Sequence, residues 1–371
     1  MTIPSRVADL SAEEAAQLAV WAQIGNADAP DGLAVLRRIG LLQLDPLRRV
    51  EKAHRLTCLA RMPATASLRD VDASLWGSGA ARVFETWVHA ACLVPIEDWP
   101  LLRLARERTR GRAKRPTEQA CQEALAIVAD SADGVTLKEL EEAGARTKGW
   151  SWSERKRAAE FLLWTGDLIC SERRADRRIY DLPQRRVPAE FLNCRLSREQ
   201  ILVRIADRAL SALGIATATD VATYYNLSQV DAAEALQLSG ATQVAVAGWS
   251  EVAWSRAAGI PMSPIEPRLI GPFDNLIWDR ERTRRVHSFD YVFEAYKPAS
   301  KRVFGHYVMG ALNASGRFIG RVSLAREQGV LSELARFHEP ELSGQDRSGR
   351  AIRCAISRLA RQLGLVVSAV D

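Results

Sequence analysis

The chain has 371 residues, 47% apolar and 26% charged, with a net charge of +6 and a pI near 9.1. Its length exceeds one ordinary core and predicts two or three domains, and no run approaches the length of apolar sequence that a membrane-spanning helix needs. The cysteines Cys58, Cys92, Cys121, Cys170, Cys194 and Cys354 have no CxxC spacing and no histidines clustered around them, which argues for free thiols in a reducing cytoplasm and against structural zinc.

In chain order, MTIPSRVADLSAEEAAQLAV places acids ahead of its apolar residues, unlike a secretory signal. SAEEAAQLAVWAQIG and PDGLAVLRRIG have helical spacing, and LLQLDPL reads as a strand. In an extended segment Leu41, Gln43 and Asp45 share one side, while Leu42, Leu44 and Pro46 share the other. A carboxylate at a half-buried position is costly unless something pairs with it. Asp45 therefore either turns the chain, as Asp before Pro commonly does, or carries chemistry. An amide and a carboxylate on one face can hold a water, Gln43 orienting it and Asp45 taking its proton or stabilising positive charge on a sugar. Those are the needs of N-glycosidic bond hydrolysis. A base alkylated at a ring nitrogen already carries positive charge and leaves without a strong general acid.

Arg103 to Arg115 holds seven Lys/Arg against one acid, and Ser171–Arg178 and Asp279–His287 repeat the theme. Each cluster alone suits a solvated face; three together favour a polyanion such as a phosphate backbone. From Thr117 to Pro188 the pattern is helix, a short helix opened by Thr136 with Gly144 as its stop, a longer helix capped by Ser151 or Ser153, then a hairpin, LICSERRADRRIYDL. That order is a winged helix, with Arg155, Lys156 and Arg157 on the third helix and Arg173, Arg174, Arg177 and Arg178 on the wing.

A similar order recurs from Leu196 to Ser255, with an acidic and apolar third helix suited to a scaffold. PMSPIEPRLIGPFDNLIWDR is loop-like, FDYVFEAYKPASKRVFGHYVMGALNASGRFIGRVSLA alternates as antiparallel strands do, and SGRAIRCAISRLARQLGL is a closing amphipathic helix. The expected fold is α+β: three tandem winged helix-turn-helix units and a C-terminal antiparallel β domain. The expected divisions are 1–115 with the catalytic strand, 116–190, 191–260 and 261–371.

GxSxG, Walker, GxGxxG and HExxH motifs are all lacking, and His54, His89, His287, His306 and His338 are not at metal-ligand spacing. The expectation is an enzyme with no metal and no cofactor. GLLQLD followed by VEKAHRLTCLARM, then FETWVHAACLVPIEDWPLL, GDLICSERRADRRIYDLPQRRVP and GPFDNLIWDRERTRRVHSFDYVFEAYKPASKRVFGHYV, resemble the YcaQ/AlkZ-like winged-helix DNA glycosylases from about residue 10 to 325. The resemblance implies tandem winged helices and a β domain forming a concave DNA-binding surface, and excision of N7-alkylguanine adducts including interstrand crosslinks. It also implies a catalytic Gln-apolar-Asp or Gln-apolar-Gln motif. Gln43-Leu44-Asp45 matches the Asp branch, which the resemblance links to nitrogen-mustard-type crosslinks and relaxed lesion choice. The Gln branch is linked to self-resistance against one DNA-alkylating antibiotic. Pro46, and Thr86 with Ala91, depart from the family pattern beside the expected pocket.

His54 and His89 match family positions, where they either support the site or are hydrogen-bonded core residues. Asp274 and Asn275 either approach the site from the β domain or make a turn. Trp87, Trp99 and Trp278 suit the core. Lys301 and Arg302, at an expected hairpin turn, join Arg173, Arg174 and Arg177 as candidates for phosphate or minor-groove contact. The expected protein is a monomeric, monofunctional DNA glycosylase, since no lysine sits in the motif to form a Schiff base. It acts on double-stranded DNA carrying alkylated guanine, in the nucleoid-associated cytoplasm, with no membrane partner. Base flipping is a route of access for a simple adduct, whereas a crosslinked base requires limited extrusion. The rivals are a non-catalytic winged-helix regulator and a family member specialised for antibiotic self-resistance.

Overall fold

The computed structural model describes residues 8–25, 27–77, 79–112, 114–142, 154–174, 176–257, 259, 263–339 and 345–368. Strand β1 (Ala8–Leu10) leads into α1 (Ala12–Ile24), whose first turn is closed by a capping box between Ser11 and Glu14. Then come α2 (Gly32–Ile39), β2 (Leu42–Gln43), α3 (Ala53–Leu59), α4 (Leu68–Leu75), β3 (Val83–Trp87) and β4 (Ala91–Pro95). These three strands pair in the order β2-β4-β3. The strand expected over 41–47 is only two residues long, although Leu44 N continues the pairing to the Ala91 carbonyl at 2.8 Å. A 3-10 turn (Ile96–Leu102) and α5 (Arg103–Arg110) follow.

The next group is α6 (Glu118–Asp130), β5 (Val135–Thr136), α7 (Leu137–Glu142), α8 (Glu154–Thr165), β6 (Ile169–Arg174) and β7 (Arg177–Asp181), with sheet order β5-β7-β6. Thr136 opens α7 as expected, its side chain and amide both engaging Glu139. The expected stop at Gly144 and caps at Ser151 or Ser153 lie outside the described residues. Short helices α9 (Pro183–Arg186) and α10 (Ala189–Leu192) lead to α11 (Arg198–Leu213), β8 (Ile215–Thr217), α12 (Ala218–Tyr225), α13 (Gln229–Leu238), β9 (Thr242–Val246) and β10 (Ala253–Ser255). Here the sheet order is β1-β9-β10-β8, so the N-terminal strand completes a sheet whose other members lie more than 200 residues later. One order of elements, helix, strand, helix, helix, strand, strand, thus occurs three times, each time with the third strand between the other two.

The last part contains β11 (Arg268–Ile270), α14 (Arg280–His287), β12 (Val308–Leu312), β13 (Phe318–Glu327), β14 (Val330–His338), α15 (Gln345–Leu363) and β15 (Val366–Val367), in a five-stranded sheet ordered β11 to β15. Two expectations change here. The segment 289–307 is not a pair of strands: Pro298 lacks a donor, and Glu294 gathers the amides of Val303 (2.9 Å), Phe304 (2.7 Å) and Gly305 (3.4 Å) into a closed loop. Lys301 accordingly ends a 3-10 turn (Ala299–Lys301), not a hairpin. Conversely, the loop-like stretch after Pro261 contains β11, which caps the sheet edge.

The middle group packs its own core from α6, α8 and the β6–β7 hairpin. The other cores are shared across the chain. Leu42, Leu44 and Leu47 pack with α15 and the C-terminal sheet, whereas Leu41 packs with the β3–β4 hairpin and α11. The alternation read at Leu41 and Leu42 therefore sends neighbouring side chains into two different cores, and β2 is the seam between them. Among the described residues, no helix is long and apolar enough to cross a membrane.

Candidate active site

Gln43 sits opposite Cys92 in the β2–β4 pair, with its side chain half-buried. Asp45 is also half-buried, and its Oδ1 accepts the Leu47 amide at 2.9 Å. One oxygen thus makes the turn expected of Asp-Pro. No cation pairs with this carboxylate, and no side chain bonds the Gln43 amide, among the described residues. Burial pushes the Asp45 carboxyl above the usual carboxylate range, opposed by the Leu47 amide.

The fully buried carboxylates differ. Among the described residues, the seven buried carboxylates Glu51, Glu85, Asp98, Asp181, Asp220, Asp274 and Glu294 all have an Arg or Lys partner. Glu51 alone meets Arg48, Arg55 and Arg326.

Asn275 and Asp274 come from the C-terminal part to the chain around β2. Asn275 Nδ2 donates to the Leu41 carbonyl at 2.9 Å and to Tyr224 Oη, and Tyr224 Oη donates to the Ile39 carbonyl at 2.6 Å. These bonds hold the backbone on the approach to Gln43. Asp274 is enclosed and receives both terminal nitrogens of Arg61 at 2.7 and 2.8 Å, while Arg61 also reaches Gln23 Oε1. Its Oδ1 takes the Leu276 amide at 3.0 Å, so a turn and a tertiary ion pair share this one carboxylate.

His89, in the β3–β4 turn, stacks on Trp278 with ring centroids 3.9 Å apart and planes 8° from parallel. Burial lowers its pKa to about 4 against an opposing hydrogen bond to the Tyr224 backbone, so the ring is neutral at pH 7. His54 on α3 is buried, meets Trp76 edge-on at 6.5 Å, and has its pKa lowered to about 3 by burial and by nearby Arg55, Arg173 and Lys52. Tyr224 had no sequence signal: it lies in the third repeat, expected to be scaffold, yet it touches Asn275, His89 and the Ile39 carbonyl.

The basic clusters divide. Arg173 and Arg178 both grip Glu85, each with a closest contact of 2.6 Å. Arg174 bonds Glu172 and the Asp133 carbonyl. Arg177 and Lys301 are exposed with no side-chain partner among the described residues, and Arg302 donates to the Lys297 and Ala295 carbonyls. In the Asp279–His287 cluster, Arg282 and Arg285 converge on Asp220, Arg282 also donates to the Leu213 and Ile215 carbonyls, and Arg284 pairs with Asp290. That cluster mainly fastens α14 to the third repeat. Among the tryptophans, Trp99 is buried as expected, but Trp87 is 42% exposed.

The fold that presents this strand belongs to a known class of enzyme, the DNA glycosylases, whose substrate is DNA: a family model described as DNA glycosylase AlkZ-like matches residues 36–362. The chain belongs to the AlkZ-like DNA glycosylase family. It is also similar to the solved structure of the Streptomyces sahachiroi DNA glycosylase AlkZ, with a TM-score of 0.65 and 18% identity, over 98% of this chain and all of that one. At that identity the likeness speaks for the fold.

Proposed function

We propose that this DNA glycosylase hydrolyses the N-glycosidic bond of alkylated purines, N7-alkylguanine in particular, including guanines joined in interstrand crosslinks. Asp45 acts as general base or as the anion facing the developing oxocarbenium ion, and Gln43 positions the water. The observation that carries this reading is the Asp45 carboxylate two residues from Gln43, half-buried with its pKa raised by burial, one oxygen turned to the Leu47 amide and the other without a partner among the described residues. A turn needs only the first oxygen, whereas a base needs a free one.

The recurring element order supports a reading as three winged helices, divided near residues 115, 190 and 260, that hold duplex DNA as a monomer. Arg177 and Lys301 are free to meet phosphate; Arg174 and Arg302 are held by weaker or backbone bonds, and Arg173 shapes the wing through Glu85. No lysine lies in the motif, so hydrolysis ends at base release. The reaction belongs to DNA repair in the cytoplasm.

The test is single-turnover release of N7-methylguanine, and of a nitrogen-mustard crosslink, from duplex DNA. Wild type should release base, and Asp45→Asn should lose at least about a hundredfold, the scale of a positioned acid–base group. Tight duplex binding with no release by either protein would instead favour a non-catalytic regulator. Release confined to one antibiotic's adduct would mark a self-resistance enzyme.

A further inference from the structure

Two aromatic rings meet where the first two repeats face each other. Trp87, at the end of β3, approaches Trp164 of α8 edge-on with centroids 6.1 Å apart. Trp164 and Phe161 are the apolar wall of an open cleft of about 210 Å³, whose other members include Arg112, Lys114, Arg157 and Glu160. The one carboxylate among these six is already engaged, since Glu160 accepts from Arg178 at 2.8 Å and from the Tyr180 hydroxyl at 2.9 Å. Arg112 and Lys114 are exposed, with no ion pair on either side chain among the described residues. Among the described residues, exposed Arg157 pairs only with half-buried Glu154 on its own helix, a contact worth little and easily exchanged for a phosphate.

The cleft therefore offers three available cations over an aromatic wall. Phosphates take up such cations and release counterions, while a deoxyribose can lie against the rings. Its position relative to the candidate site is set by the β3–β4 hairpin. His89, in the turn, stacks beside Trp278, and Cys92 of β4 faces Gln43, whereas Trp87 at the other side of the same turn leads to Trp164. One hairpin thus connects the strand that pairs with Gln43 to the aromatic wall of the cleft.

We propose that the cleft between the end of α5 and helix α8 is a phosphodiester-binding subsite for the DNA flanking the lesion. Arg112, Lys114 and Arg157 contact its phosphates, and Trp87 and Trp164 lie beneath its sugars. The proposal rests on the DNA-glycosylase reading and adds to it a second contact region, distinct from the wing residues and Lys301.

The test is titration of a fluorescein-labelled unmodified duplex over a salt series with wild type, R112A/K114A/R157A, W87A and, as a charge control, R284A. The triple variant should reduce the slope of log K against log salt by about 2 to 3 units, at ~0.9 per phosphate contact. R284A should keep the wild-type slope, and W87A should weaken binding at every salt concentration with its slope retained. An unchanged slope in the triple variant, or an equal loss in R284A, overturns the phosphate assignment, and unchanged binding by W87A overturns the aromatic floor. If wild type binds no duplex at any salt, the DNA reading falls together with the subsite, an outcome distinct from either of these.

Discussion

Asn275 donates its side-chain amide to the Leu41 carbonyl at 2.9 Å, so a residue of the C-terminal part holds the strand that carries Gln43. The bond is buried and shared with Tyr224, which fastens the Ile39 carbonyl in turn. Asn275→Ala should cost about 1–3 kcal/mol of stability by leaving a buried acceptor unpaired. It should also lower single-turnover excision at saturating DNA more than it weakens duplex binding. A variant that loses stability alone, with an unchanged excision rate in the folded fraction, would show that the bond holds the fold without positioning the site.

The pH profile of excision should report Asp45. Burial raises its pKa, and a base works only when deprotonated, so the rate should climb with pH and level off above an inflection higher than that of an exposed carboxylate. Asp45→Asn should remove that acid limb along with most of the rate. If the variant keeps the same limb, another group supplies the base.

His54 should make the fold acid-sensitive. Its folded pKa of about 3 lies below the ordinary 6.5, so the unfolded chain binds the proton first as pH falls. The stability from its neutral burial is complete above about 6.5 and is lost progressively toward about 3. The slope per histidine is up to about 1.4 kcal/mol per pH unit. His89, lowered to about 4, adds to the same slope. Urea midpoints at pH 7 and pH 5 should therefore differ by less in His54→Leu than in wild type, and an equal difference would contradict the burial argument.

The wing arginines should separate by role. Arg173→Ala removes one of the two cations on buried Glu85 and should lower thermal stability, with a cost on the scale of about 3–5 kcal/mol for breaking a buried pair, reduced because Arg178 remains. Arg177→Ala and Lys301→Ala should leave the melting temperature unchanged and each lower the salt slope of duplex binding by about 1. Thermal melts and a salt titration on the three variants distinguish these outcomes, and the roles exchange if Arg177→Ala is the one that melts early.

Elements with local causes were legible from residue order. Capped helices such as Ala12–Ile24 and Arg198–Leu213, and the basic hairpin at 169–181, follow from periodicity, Ser caps and turn residues within a few positions of each other. So does the alternation that sends Leu41 into one core and Leu42 and Leu44 into another, because side-chain direction in an extended chain depends on nothing more distant than its neighbours. The segment 289–307 forms a loop despite its alternating pattern, because alternation also suits a loop and Glu294 collects amides nine to eleven residues further on.

The use of charge was different. A run of arginines has the same local pattern whether its partner is a phosphate or a carboxylate. Arg173 finds Glu85 across 88 residues, Arg282 finds Asp220 across 62, and Arg61 finds Asp274 across 213. Chain order therefore singled out Gln43 and Asp45, the amide and the acid proposed for catalysis. Folding then decided which cations are tied to carboxylates and which stay exposed, because a buried carboxylate must be paired, and that choice depends on contacts no local pattern encodes.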